Sequence, residues 1–306
     1  MKWQTFSGAD LKQLRWSASL TPNKHTAGQV TIIAGSDLFH GAALLALKTA
    51  SRLAGMVYFA STENSLSQLS LRLKGSLASF IWVPLIEVDH YIDKSDAVLI
   101  GPGMKRYRSE ASAGFAGLDI DGELTHRLSR TLLQQHPHSH WVIDAGSLQV
   151  LSADEIPAHA ILTPNHAEMR HLFASARLDW SAFESAPDAE QVRTLKQLAS
   201  QLKCVILYKN QPTWVTDGQT VYQIQGGNDG LNKGGMGDLL AGLVTGLRAF
   251  NPPLLAAAAS SYLLFQTAQR LYGKQNQFFN ADDLADNLPA VLAQAKTAPQ
   301  SLDSNA

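Results

Sequence analysis

Cysteine is almost absent from this chain, with Cys204 alone in 306 residues. No internal disulfide is possible, so the fold is not a disulfide framework, and a reducing compartment is favoured. The apolar run Cys204-Val205-Ile206-Leu207 makes that thiol a core residue. An excess of either charge is also missing: 25 Lys and Arg face 26 Asp and Glu, a formal net charge of -1. Nothing basic points to nucleic acid, and no Lys/Arg run points to a membrane surface. No run is long enough and apolar enough to span a bilayer, and Met1 to Leu20 hold no apolar h-region. A cytoplasmic protein with no nucleic-acid or membrane partner is expected. Two phosphate motifs are lacking. No Gly-x-Gly-x-x-Gly follows the first strand-like run, and no Gly-x-x-x-x-Gly-Lys-Ser/Thr occurs. His166 and Glu168 have no partner at metal-ligand spacing, so no metal ligands are assigned.

Apolar residues, by contrast, make up 45% of the chain, enough for a sizeable core. Short β-branched runs recur: Val30 to Ala34, Met56 to Ala60, Ala97 to Ile100, Trp141 to Ile143, Ala160 to Leu162 and Cys204 to Tyr208. They do not alternate polar and apolar, which predicts parallel strands covered on both faces. Helix-like stretches lie between them, such as Gly41 to Leu53, with Ala43, Leu47, Ala50 and Ala54 on one face. The alternation predicts a doubly wound α/β fold, its mostly parallel central sheet carrying helices on both faces. Thr213 to Val215 and Val221 to Ile224 flank Asp217-Gly218, a hairpin signal. Pro252-Pro253 ends one helix and starts another near Leu254. One domain is expected over residues 1–306, with 1–27 as an N-terminal extension and 297–306 as a polar, frayed tail.

The most informative segment is Gly234-Gly235-Met236-Gly237-Asp238, followed by the apolar run from Leu239 to Val244. Three glycines in four positions let backbone N–H groups approach a ligand closely. The run that follows reads as a helix, whose positive end suits phosphate. Gly234, Gly235 and Gly237 are therefore the candidate anion hole, and Asp238 beside them is a candidate base. The plain alternative is a turn with Asp238 as helix N-cap. Ligands of open α/β sheets bind beyond the carboxyl ends of the strands. There stand Gly35-Ser36-Asp37, Gly101-Pro102-Gly103, Asp144, Thr163 to Glu168, and Lys209. Lys209 directly after a buried strand is well placed for a phosphate, while Asp144 reads equally as a helix cap.

Taken in order, these pieces resemble the ADP/ATP-dependent NAD(P)H-hydrate dehydratases of the ribokinase-like superfamily, from about Gly28 to Pro289. Ala34-Gly35-Ser36 with Gly41-Ala42 is similar to the family's opening "GGS…GA", and Asp96 to Gly103 to its "DAvviGPGlG". Val142-Ile143-Asp144-Ala145 with Leu148 resembles "vlDADaL", and Ile161 to Pro164 with Glu168 resembles "ilTPHpgE". Lys209 to Thr213 stands for "KGxxT", Asn232 to Asp238 for "ATGGTGD", and Asn280 to Leu284 for "AtDl". The chain departs from these motifs at Phe39, Lys105, Gly146, Asn210 and Met236, and Asn165 takes the place of the family's histidine, with His166 one position later.

The resemblance implies a ribokinase-like fold and dehydration of hydrated NADH or NADPH. A phosphoryl group passes from ADP or ATP to the ring hydroxyl, and phosphate then leaves. Mg2+ bridging the phosphates is expected on general grounds. Asp238 is implied as the base, and Ala42, Gly103 and Asn165, with Asp238, as the residues lining the hydrated cofactor. Lys209, Asn210, Gln211, Pro212, Thr213 and Gly237 are implied on the nucleotide. A homo-oligomer is left open. A small-molecule kinase using the same turn, and a nucleotide-binding protein without catalysis, are the alternative readings.

Overall fold

The computed structural model describes residues 3–17, 23–24, 26–63, 77–107 and 120–297. Ten strands form one sheet: β1 (Gln4–Thr5), β2 (Gln29–Ile33), β3 (Met56–Ala60), β4 (Ile81–Trp82), β5 (Ala97–Ile100), β6 (Trp141–Ile143), β7 (Ile161–Leu162), β8 (Val205–Tyr208), β9 (Thr213–Thr216) and β10 (Val221–Ile224). Their order is β1-β10-β9-β8-β7-β6-β5-β2-β3-β4. All pairings are parallel except β8 with β9 and β9 with β10. The helices among the described residues are α1 (His40–Ala50), α2 (Val88–Asp93), α3 (Ile120–Gln135), α4 (Ala145–Val150), α5 (His166–Ser175), α6 (Trp180–Ser185), α7 (Asp188–Leu202), α8 (Met236–Arg248), α9 (Pro253–Gln275) and α10 (Ala281–Thr297). None is long and apolar enough to cross a membrane.

The lack of alternation in the strands has a direct cause. Val30 and Ile32 belong to one core, with α1, α8, α9 and α10, while Ile33 belongs to the other, with α2 to α7. Leu99, Val142 and Leu207 go to the first core, and Val98, Ile143 and Ile206 to the second. Both faces are dry, so both sets of side chains are apolar.

Expected and observed boundaries differ slightly. The first strand starts at Gln29 and ends at Ile33, and α1 ends at Ala50 rather than Leu53. Cys204 and Ala160 lie just outside their strands, and both are buried. The hairpin turn follows its signal: Asp217 Oδ1 accepts the N–H of Gln219 at 2.8 Å and of Thr220 at 2.7 Å. Of the expected frayed tail only Thr297 is among the described residues, and it ends α10; 298–306 lie outside them. The N-terminal extension carries more structure than its composition signalled. Its β1 pairs in parallel with β10, Phe6 is buried with its ring 5.3 Å from that of Tyr222, and Asn251 Oδ1 accepts the Arg15 N–H at 2.8 Å.

Two features position the site. The chain runs outward from β2 through β3 to β4 and then returns to β5 beside β2, which makes the gap between β2 and β5 the topological switch point. Across it the Gly35 N–H donates to the Pro102 carbonyl at 2.7 Å and the Gly101 N–H to that of Ile33 at 3.2 Å. The second feature is the contact of α8 with α1. A Cβ at Gly242 would lie 2.3 Å from both the Ala46 carbonyl oxygen and Thr49 Oγ1, and Thr49 Oγ1 itself donates to the Leu239 carbonyl at 3.0 Å. Gly242→Val is expected to destabilise the protein by about 2–3 kcal/mol, because two backbones must part and the small gain in helix propensity does not compensate. Urea unfolding with an unchanged slope would register it as a lower midpoint.

Candidate active site

The loops at the carboxyl ends of β2, β5, β6, β7 and β8 and the start of α8 meet at one edge of the sheet. Gly103, at φ +69°, lies where any Cβ would come 2.3 Å from the Phe39 carbonyl oxygen and 2.9 Å from the Ala42 Cβ. The first turn of α1 and the β5 loop therefore meet face to face, which brings Ala42 and Gly103 together.

At the middle of the sheet sits a charged cluster. Lys209 follows β8, and its Nζ donates to Asp144 Oδ1 at 2.8 Å and lies 3.7 Å from Glu168 Oε2. Asp144 and Glu168 are 1% and 2% exposed, so neither carboxyl has water to rely on. Thr163 Oγ1 also donates to Asp144 Oδ1, at 2.7 Å, and Gln149 Nε2 donates to Glu168 Oε1 at 3.0 Å. Burial works against the Lys209 ammonium, but Asp144 and Glu168 outweigh it and raise its pKa above the ordinary lysine value. For Glu168 burial dominates and raises its pKa, against the pull of Lys209.

The glycine turn lies at the same edge. Gly235, at φ +91°, is the N-cap of α8, a conformation that glycine adopts without strain. The helix begins at Met236, so Asp238 is its third residue and not its N-cap. The first N–H groups of a helix have no carbonyl partner within it, which is the chemistry an anion requires. A Cβ at Gly237 would stand 3.3 Å from Lys209 Nζ, so helix end and ammonium flank one small space. Asp238 is half-buried, and burial first, then the charges of Asp144 and Glu168, push its pKa up to about 7, with Lys209 opposing. Lys233 Nζ anchors the turn by donating to the carbonyls of Gln277 at 2.6 Å and Phe279 at 2.5 Å.

Other candidates have mixed placements. Asn165 is the N-cap of α5 in a capping box: its Oδ1 accepts the Glu168 N–H at 3.0 Å, and its own N–H donates to Glu168 Oε2 at 2.9 Å. Its Nδ2 donates one of its two amide hydrogens to Glu168 Oε1 at 3.0 Å. His166 turns instead to Glu184, at 2.7 Å, and packs edge-on against Trp180. In the Lys209–Thr213 segment, Asn210 and Gln211 are exposed, whereas the Thr213 hydroxyl is buried and donates to the Asn210 carbonyl at 2.9 Å. The sequence does not single out Asp144 and Glu168 as partners of Lys209. Their common position after neighbouring strands was the available signal, and Asp144, although at the N-cap of α4, makes no capping bond. Among the described residues no group of three His, Cys, Asp or Glu is placed to hold a metal ion.

Comparison with known proteins bears on the family and the fold. The family model described as NAD(P)H-hydrate dehydratase matches residues 30–290. The ADP-dependent (S)-NAD(P)H-hydrate dehydratase of Listeria monocytogenes is 26% identical over 273 residues, spanning 88% of this chain and 89% of that protein. The chain spans about half the length of the curated bifunctional NAD(P)H-hydrate repair enzymes it also matches. A ribokinase-like superfamily protein from Enterococcus faecalis superposes with a TM-score of 0.78 at 20% identity, covering 96% of each chain. The ADP/ATP-dependent NAD(P)H-hydrate dehydratase of Bacillus subtilis, crystallised with ATP and Mg2+, has a TM-score of 0.71 at 21% identity, covering 96% of this chain and 99% of that one. The fold is ribokinase-like.

The Asp238 carboxyl generates a prediction about stability. Its folded pKa, about 7, lies above the ordinary value of 3.8, so the folded state holds this proton where the unfolded state has lost it. The corresponding stability is complete below pH 3.8 and is lost as pH rises to about 7. Asp238→Asn has no such loss. The variant is expected to be more stable than the native protein at pH 8, by a margin that shrinks below pH 7 and vanishes near pH 4, as urea unfolding at each pH would show.

Proposed function

This chain belongs to the NAD(P)H-hydrate dehydratase family, and we propose that it uses ADP or ATP to dehydrate hydrated NADH or NADPH, restoring the reduced cofactor. The observation that carries the reading is the Asp238 carboxyl at the first turn of α8, with a pKa near 7 and the Gly237–Lys209 space beside it. A base poised near neutrality takes a proton most effectively at physiological pH. Asp238 removes the proton of the ring hydroxyl, and the freed oxygen pair forms a bond to the terminal phosphorus of the nucleotide. The bond from that phosphorus to the bridging oxygen breaks, and the shortened nucleotide departs. The ring C–O bond then breaks with phosphate taking the electron pair, and a proton lost from the adjacent carbon supplies the ring double bond.

The protein's share is position and charge, which is what phosphoryl transfer needs. The N–H groups around Gly234, Gly235 and Gly237 hold the transferred phosphoryl oxygens, and one such donor is worth roughly 100- to 1000-fold in rate. Lys209 neutralises charge from the other side, and Asn210 to Thr213 border the nucleotide. Ala42, Gly103 and the Asn165 amide line the hydrated ring. Mg2+ keeps most of its ligands as water and phosphate and takes only one or two carboxylates from a protein. Asp144 and Glu168, beside Lys209, are the nearby carboxylates that would hold such an ion. When bound it supplies positive charge to the phosphates.

The direct test is incubation of the protein with hydrated NADH and ADP or ATP while absorbance of the reduced nicotinamide is followed. Recovery of absorbance with stoichiometric phosphate release supports the reading. A stable phosphorylated product with no recovery would turn it into the kinase reading. Asp238→Asn is expected to lower kcat by roughly 100- to 10000-fold. In the native protein kcat should fall as pH drops below about 7, where Asp238 takes up its proton. Asn165→Ala should raise KM for the hydrated cofactor by about 0.5–1.5 kcal/mol in free-energy terms while nucleotide affinity holds. Loss of the α5 cap would also lower stability by about 1 kcal/mol.

A further inference from the structure

Gly234, Gly235 and Gly237 give the turn before α8 wide conformational freedom, whereas an anion site needs one fixed arrangement of donors. Packing at Gly234 does not supply that order, because a Cβ there would meet nothing within 4 Å. The order comes from its neighbours, which rest on one segment, Gln277 to Ala281, between α9 and the first turn of α10. Before the turn, a Cβ at Gly230 would lie 2.2 Å from Phe279 Cζ, and that ring is buried. After it, a Cβ at Gly235 would lie 3.0 Å from the Ala281 Cβ. Between these two contacts Lys233 Nζ donates to the Gln277 and Phe279 carbonyls and stands 5.7 Å from the centroid of the Phe279 ring. The segment is itself held. The Asn280 N–H donates to Asp283 Oδ2 at 2.9 Å, the Asp283 N–H donates to Asn280 Oδ1 at 3.0 Å, and Lys48 of α1 pairs with Asp282. The apolar contacts fix where the turn enters and leaves. Lys233 adds directed, charge-assisted bonds one residue from Gly234.

We propose that Lys233 is a positioning residue for phosphate: its ammonium ties the glycine turn to the Gln277–Ala281 segment, which keeps the Gly234 and Gly235 N–H groups in place for the terminal phosphate of a nucleotide, and it does not itself touch that phosphate. The proposal rests on the reading that puts a nucleotide's terminal phosphate at this turn. Donors fixed beforehand need no rearrangement when charge arrives. A misplacement of about 1 Å can cost roughly a hundredfold in rate, so an anchor outside the site has leverage on it.

ATP and AMP, each with Mg2+, are the probes, and calorimetry reads their affinities. AMP lacks the terminal phosphate, so the ratio of the two affinities isolates what the turn contributes. The native chain is expected to bind ATP more tightly than AMP. Lys233→Met should weaken ATP binding by roughly tenfold and leave AMP binding in place. Lys233→Gln, which keeps a donor on a shorter stem, is the second variant if Lys233→Met does not fold. Without nucleotide, NMR relaxation should show the Gly234 and Gly235 amides more mobile in the variant than in the native chain. A lysine that only stabilises the fold would lower the melting temperature and leave the ATP to AMP ratio alone. The proposal is overturned if the native chain binds ATP no more tightly than AMP, or if the variant weakens both equally or neither. It is also overturned if ATP weakens while the glycine amides keep their native mobility, because Lys233 would then act on the phosphate directly. No hydrated cofactor is used. A chain that fails to restore NADH but shows the expected ATP and AMP pattern keeps this role for Lys233 and loses the dehydratase reading.

Discussion

Everything at the carboxyl edge of the sheet depends on one half-buried ammonium. Lys209 Nζ is the cation that the buried carboxyls of Asp144 and Glu168 share, and Asp238 feels all three. Removing one partner of a buried ion pair commonly costs about 3–5 kcal/mol, because the remaining charge has nowhere to go. The arrangement is short of positive charge, since one lysine faces three carboxyls. Burial first, and then that shortage, lifts Asp238 toward neutrality. A change in the partners of Lys209 therefore changes the charge that Asp238 feels.

The fold supplies the rigidity this cluster needs. Strands β5, β6 and β7 end in register and deliver Gly101, Asp144 and Thr163 to one edge, and β8 runs on past Ile206, the partner of Leu162, to Tyr208 and brings Lys209 to the same edge. The opposite wall is a helix pair locked by Gly242 against Ala46 and Thr49, with Gly235 at its top seated where a Cβ would meet Leu45 Cδ1 at 2.5 Å. Both walls are core-anchored, so the space between Gly237 and Lys209 is preorganised.

The strand and helix alternation was legible because both sheet faces are dry, which leaves unbroken apolar runs such as Ala97 to Ile100. The glycine turn was legible because three glycines have few uses before a buried helix. The ion cluster was not. Asp144, Glu168 and Lys209 are scattered over more than 60 positions, and only the register of β6, β7 and β8 brings them together. Strand β1 escaped notice because two residues, Gln4 and Thr5, carry no periodicity. The role of Asn165 was half legible: the resemblance marks the position, but the capping box emerges only when Glu168 folds back onto it.

That capping box ties two demands to one side chain. Asn165 closes the end of α5 through Glu168, and Glu168 in turn faces Lys209. A histidine at 165 loses the amide that binds both Glu168 atoms, so Glu168 must find new partners or shift its hold on Lys209. Exchange between the two residues in evolution is then not a free step. The residues at 149 and 209, which hold Glu168, decide whether it is tolerated.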